Sequence, residues 1–295
     1  MHSSFAYILN KRHIINFLRN RPYCLKTKHS IRISNMELKL LIVSDTHECY
    51  DTLNTIIDRS DPDIILHAGD FCNIPLEFIE DAKYIEEAKE SIQRQVDIIA
   101  RKGKPIYIIP GNHDPGAFFK HLEAKYGDLG IHTAKTLGAQ SECIAPGLHI
   151  AALGGSLPAY IGERLHWKGY PYTTEQECDS AITNYLEPQL AGDGQYILLT
   201  HFGPSFSPTC RFYQTCGEII EAGSSKLEDL LIDNASKILI NIHGHTHWGV
   251  GVFSFGDDMK KVLNPGAVLY NNYAEVLLKC ENSLWKVQEI QLKQI

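Results

Sequence analysis

The stretch LKLLIVSDTH, residues 38–47, sets the pattern from which the rest of the chain is read. Its nearly unbroken Leu, Ile and Val describe a strand buried on both faces, since a half-buried strand would alternate apolar with polar residues. The run then stops at Asp45-Thr46-His47, side chains able to bind a cation. The arrangement recurs four times. DIILHAG (63–69) leads into Asp70, PIYIIPG (105–111) into Asn112-His113-Asp114, YILLTHF (196–202) carries Thr200-His201, and ILINIHG (238–244) leads into His245-Thr246-His247.

Helical candidates separate the runs, at 52–59, 76–101, 115–126, 174–190 and 224–234. Thr173, Thr174, Ser224 and Ser225 offer N-caps for the last two. Strand-helix alternation predicts right-handed crossovers and a largely parallel sheet holding the five runs. Residues 142–155 and 249–292 read as short strands joined by turns at Gly256-Asp257, Asn264-Pro265-Gly266 and Glu281-Asn282. They would form a second sheet, mixed or antiparallel, packed on the first. With no repeat and no linker after residue 36, the expectation is one domain over 36–295.

Composition narrows the function classes. The chain has 295 residues, 44% of them hydrophobic and 21% charged, as in ordinary globular proteins. No apolar run approaches the ~18–20 residues that cross a bilayer, so a membrane-spanning role is not expected. Residues 1–35 carry Lys11, Arg12, Arg19, Arg21, Lys26, Lys28 and Arg32 and no acid. Setting those seven aside leaves 21 basic against 35 acidic side chains, a charge of −14 from residue 36 onward. An acidic body repels a polyphosphate backbone, so non-specific nucleic-acid binding is not expected. The basic segment reads as a mitochondrial transit peptide, as a disordered tail, or as sequence ahead of a natural start at Met36; the location expected is cytoplasmic, or mitochondrial under the first reading. The Cys residues form no C-x-x-C pair, which fits free, mostly structural thiols.

The strand ends carry the chemistry. Ligands of open α/β sheets bind at the carboxyl ends of the strands, so five polar clusters at five such ends are expected to converge. Carboxylate, imidazole and amide oxygen together suit Mn, Fe, Zn or Ni. Two Asp side chains leave two divalent ions with surplus positive charge, which points to an anionic substrate, phosphate esters above all. One H-x-H among 14 His would mean little alone. His67 and His243, beside the motifs, read as hydrogen-bonded core residues, and Cys49 and Cys72 as packing residues.

The ordered series S-D-T-H, H-A-G-D, P-G-N-H-D, T-H-F-G-P and H-G-H-T-H, from 38 to about 270, resembles the calcineurin-like metallophosphoesterase superfamily. Asn264-Pro265-Gly266-Ala267 and Ala222-Gly223-Ser224 resemble its smaller, phosphodiesterase-like members. The resemblance implies an α/β fold, a two-sheet β-sandwich flanked by helices in four layers, α/β/β/α. It implies a metal-dependent hydrolase in which Asp45, His47 and His247 bind one ion and Asn112, His201 and His245 a second. Asp70 would bridge the two, and a bridging hydroxide would attack phosphorus in line. Asn112 and His113 would meet the substrate, His113 as acid towards the leaving group, with Asp114 orienting His113.

Gly69-Asp70-Phe71-Cys72-Asn73 departs from the G-D-x-V-D-R-G element of phosphoprotein phosphatases. A small phosphodiesterase or pyrophosphatase acting on a compact, nucleotide-like ester is therefore expected. Residues 154–172 and 205–216, with Arg164 and Arg211, are candidates for shaping its pocket. The alternative is a catalytically silent scaffold that keeps the fold within a protein assembly.

Overall fold

Strand β1 (Met36–Val43) shows how the layers arise. Leu40 and Ile42 point into one apolar cluster, whereas Leu41 and Val43 point into another, and all four are buried. The computed structural model describes residues 36–295 except most of 117–130 and the stretches 134–140, 214–216 and 257–259. The expectations for residues 1–35, for Cys24 and Cys216, for Asp257 and for most of the helix at 115–126 lie outside the described residues.

β1 runs parallel with β2 (Ile64–His67), β3 (Ile106–Ile108) and β4 (Ile131–Thr133). On its other side lie β15 (Asn272–Glu281) and β16 (Leu284–Gln294), both antiparallel to their neighbours. The hairpin between them closes at Asn282-Ser283, whose φ values of 52° and 67° are those of the turns that match strand twist. The second sheet has the order β13-β14-β12-β9-β6-β5. It comprises β5 (Glu142–Ala145), β6 (Leu148–Leu153), β9 (Gln195–Thr200), β12 (Ile238–Ile242), β13 (Gly251–Phe255) and β14 (Lys260–Asn264). Its four inner strands are parallel and its two edges antiparallel. A small third sheet joins β7 (Ala159–Ile161), β8 (Arg164–Trp167), β10 (Arg211–Tyr213) and β11 (Ile219–Glu221).

The five motif-bearing runs are thus divided. Three lie in the first sheet and two, β9 and β12, in the second, contrary to the single parallel sheet expected for all five. The terminal hairpin expected in the second sheet completes the first. A strand buried on both faces looks the same in either of two stacked sheets, so its composition does not say which sheet receives it.

Between the sheets, Leu40, Ile42 and Leu66 meet Ile197, Leu199, Ile240 and Ile242. Outside the first sheet pack α1 (Tyr50–Arg59) and α2 (Ala82–Ala100), through Leu53, Ile56, Ile92 and Val96. Outside the second lie α3 (Glu175–Ala181) and α4 (Ser225–Asp233), through Cys178, Leu227 and Leu231. Thr174 caps α3 by accepting from the Glu177 amide (3.2 Å), and Ser224 caps α4 by accepting from that of Leu227 (3.1 Å). The result is the four-layer α/β/β/α sandwich.

Candidate metal centre

The loops leaving β1, β2, β9 and β12 are tied to one another by backbone bonds. The Asp45 amide donates to Gly69 O (2.9 Å), the His47 amide to Asp70 O (3.1 Å), and the Gly244 amide to His201 O (3.0 Å). In this web Asp45, His47, Asp70 and His245 adopt positive φ, at 51°, 43°, 57° and 64°. Residues with a Cβ seldom do so, and such conformations cluster where function requires them. Close approach also explains two motif glycines. An added methyl at Gly111 would overlap the Asp70 carboxylate, and one at Gly244 the Asp45 carboxylate.

The side chains meet at the rim of both sheets. His47 Nε2 and His247 Nε2 face each other at 3.0 Å, and His247 Nε2 lies 3.2 Å from Asp45 Oδ1. Asp70 Oδ2 stands 3.8 Å from His47 Nε2 and 3.2 Å from His201 Nε2, which is 3.1 Å from Asn112 Oδ1. Two donor groups result, Asp45, His47, Asp70 and His247 in one and Asp70, His201 and His245 in the other; Asp70 belongs to both. The seven residues expected to bind metal are therefore brought together.

This donor set fits divalent ions. His47 Nδ1 lies 2.9 Å from Cys72 O and His201 Nδ1 2.7 Å from Ala68 O. A carbonyl only accepts, so these Nδ1 atoms carry protons, which leaves Nε2 as the nitrogen of each ring that faces the cluster and would bind a metal. His245 Nε2 is buried without a hydrogen-bond partner among the described residues. A buried polar atom without a partner is costly, and a cation at this point would satisfy it.

Electrostatics agree. Burial pushes the Asp45 carboxyl up, but the charge and hydrogen bond of His247 and the charge of His201 outweigh it and hold the group below the usual carboxylate range. Asp70 is likewise held well below that range, with burial overcome mainly by His201 and His113. For His201 burial opposes the charge, yet Asp70 wins and raises the imidazole to about 9. Burial lowers His245 to about 3 and also lowers His47, so both present neutral nitrogens near pH 7.

His113 is held differently from expectation. Its Nδ1 lies 2.8 Å from Ile74 O, so a backbone carbonyl orients the ring. The buried Asp114 carboxylate, expected in that role, instead accepts from the amides of Phe71 (2.9 Å), Cys72 (3.0 Å) and Gly111 (2.8 Å). These three backbone donors hold it, and through them it joins the Asp70 loop to the Asn112 loop. Burial, then the charge of Asp70, raise it to about 6 despite those bonds.

The neighbouring residues are accounted for as well. His67 is buried, stacked on Phe71, accepts from the Gly69 amide (3.1 Å) and reaches Thr46 Oγ1 (3.2 Å). His243 meets Thr209 Oγ1 at 2.7 Å. Cys72 is buried in the helix-facing core and Cys49 packs at its edge.

Of the pocket-shaping candidates, Trp167 approaches edge-on to His245 with ring centroids 5.5 Å apart. Arg164 lies three residues away along β8, about 10 Å at strand rise, and faces Glu218 at 3.9 Å. Arg211 pairs with Glu221 at 2.6 Å. Neither arginine is placed among the donor groups. Reasoning from sequence missed the carbonyls of Ala68, Cys72 and Ile74, which no side-chain pattern signals. It also missed Trp248 and Tyr270 beside His247, although Trp248 follows the H-G-H-T-H motif directly.

The sequence model described as calcineurin-like phosphoesterase matches residues 38–249. No curated protein matches the chain. Solved structures do resemble it. One, 16% identical, aligns over 88% of this chain and 99% of its own with a TM-score of 0.63. The crystal structure of TT1561 of Thermus thermophilus, 14% identical, aligns over the same shares, 88% and 99%, with a TM-score of 0.55. At these identities the likeness concerns the fold.

Proposed function

The chain belongs to the calcineurin-like phosphoesterase family, hydrolases of phosphoric esters that use divalent metals, and from that premise we propose a binuclear phosphodiesterase or pyrophosphatase acting on a compact, nucleotide-like substrate. One ion would be held by Asp45, His47 and His247, and the other by Asn112, His201 and His245. Asp70 would serve both. The observation that carries this reading is the Asp70 carboxylate, common to two donor groups. Mn, Fe, Zn or Ni suits such oxygen and nitrogen donors.

Bound divalent ions would supply Lewis-acid charge for the phosphoryl oxygens and lower the pKa of water enough to give a nucleophile near neutral pH. The protein's own groups do the rest. Asn112 offers a side-chain amide to a phosphoryl oxygen. Nδ1 of His113 donates to the carbonyl of Ile74, which leaves Nε2 as the nitrogen that would pass a proton to a leaving alkoxide. The His113 amide donates to Asp70 Oδ1 (2.8 Å), which ties the loop of the shared carboxylate to the loop that carries His113.

The test is a titration of metal-stripped protein with MnCl2 while hydrolysis of bis(p-nitrophenyl) phosphate is followed. Turnover that rises with metal and stops with EDTA is expected. Saturable metal binding with no turnover on this diester, phosphomonoesters or nucleotide diphosphate compounds would overturn the catalytic reading in favour of a scaffold.

A further inference from the structure

Trp248 is 63% exposed, an unusual state for the largest apolar side chain. It is nevertheless held in place. Its ring stacks on Tyr270, with centroids 4.3 Å apart and planes inclined by 26°. Tyr270 ends the short helical turn Val268–Tyr270, whose first two amides donate to Ser44 O (2.9 Å) and Asp45 O (3.2 Å). The Tyr270 ring lies 6.0 Å from that of His247. A rigid aromatic face is thus bonded to the backbone of one metal-site residue and packed beside a second.

We propose that the Trp248–Tyr270 pair is a stacking subsite for a nucleobase whose phosphate is held at the Asp45–His247 end of the metal centre. The inference rests on the phosphoesterase reading and narrows its substrate to esters bearing a base. Exposed Trp supplies a flat π-face that any base can use, whatever its hydrogen-bonding pattern. The Trp248 ring centroid lies 4.3 Å from that of Tyr270, which is 6.0 Å from that of His247, so the face stands within about 10 Å of the His247 ring, the span of a single nucleoside. The −14 charge from residue 36 onward disfavours a long nucleic acid, so a mononucleotide unit is the occupant. Base–aromatic stacking is worth roughly 5- to 150-fold in affinity.

AMP and ribose 5-phosphate share the sugar and the phosphate and differ by the base, so the ratio of their affinities isolates the shelf. Calorimetric titration of the full chain with excess MnCl2 is expected to show AMP binding about tenfold more tightly. In Trp248→Ala the ratio falls towards one, and in Trp248→Phe it stays above about three. AMP, unlike ribose 5-phosphate, is also expected to quench tryptophan emission of the wild-type protein, a readout independent of any variant's folding. Equal affinities in the wild-type protein, or a ratio unchanged by Trp248→Ala, would overturn the subsite while leaving the phosphoesterase reading intact. Neither compound binding, with no ester hydrolysed, would overturn both. A dimer in sedimentation that dissociates in Trp248→Ala would place a second copy on the shelf and overturn the proposal.

Discussion

At residue scale, His113 and His201 show how position divides the work of similar side chains. The bond that ties His113 to Asp70 comes from its backbone amide, which alanine retains. His113→Ala will therefore keep its metals while kcat falls about 10²- to 10⁴-fold, the range for losing a general acid. The loss will shrink along a series of better leaving groups; metal analysis beside kinetics on that series checks both points, and an equal loss throughout counts against the role. Burial alone would lower the His201 imidazole, but the charge of Asp70 raises it to about 9 in the metal-free site, above the 6.5 of an unfolded chain. Between these values the folded state binds the extra proton, so this contribution to stability is complete below about 6.5 and is lost as pH rises through about 9. Metal uptake runs the other way, because binding must expel that proton. Apparent metal affinity will rise with pH up to about 9, and titrations in buffers of different ionisation enthalpy will detect the proton released.

At element scale the site depends on loops held by side chains remote from the chemistry. Asn264, buried at the end of β14, donates to Thr246 O (2.9 Å) and Thr209 O (3.3 Å) and accepts from the Gly266 amide (2.8 Å). It pins the segment that presents His245 and His247. Asn264→Ala strands these partners in the interior, at about 1–3 kcal/mol for each group left unsatisfied. Differential scanning fluorimetry will show a lower melting temperature by several degrees, with weaker metal binding; an unchanged affinity would show that the loop holds its shape unaided. These contacts also mark the limit of what the sequence discloses about the site. The Asp, His and Asn residues of the candidate site were legible because they follow apolar runs; three of them, Asp70, Asn112 and His245, also come directly after a glycine that close packing demands. The partner of His113 was not, since the family resemblance implied Asp114 whereas the backbone turn carries that carboxylate to the amides of Phe71, Cys72 and Gly111.

At the scale of the whole molecule, the five strands and four of the helices could be read from apolar runs and capping residues such as Thr174 and Ser224. The partition into sheets could not. Ile197–Leu199 of β9 is as apolar as Ile64–Leu66 of β2, and only the stacking of two sheets, each buried on both faces, distinguishes them. The first described strand begins at Met36 and the first metal-site residue is Asp45. A chain beginning at Met36 will accordingly bind metal and hydrolyse bis(p-nitrophenyl) phosphate within about twofold of the full-length rate. A large loss of either, especially one sensitive to salt, would assign the basic segment a part in the fold or the site.

The claim on which everything else depends is that Asp70 serves two ions at once. Its carboxylate lies 3.2 Å from His201 Nε2 and 3.8 Å from His47 Nε2, so its negative charge reaches both donor groups. The measurement is metal content per chain by mass spectrometry, after reconstitution with MnCl2, for wild-type protein and Asp70→Asn. Two ions in the wild-type protein and at most one in the variant, with activity nearly abolished and the melting transition of the metal-free protein retained, is the predicted result. A single ion in the wild-type protein, or two ions and undiminished turnover in Asp70→Asn, would contradict it.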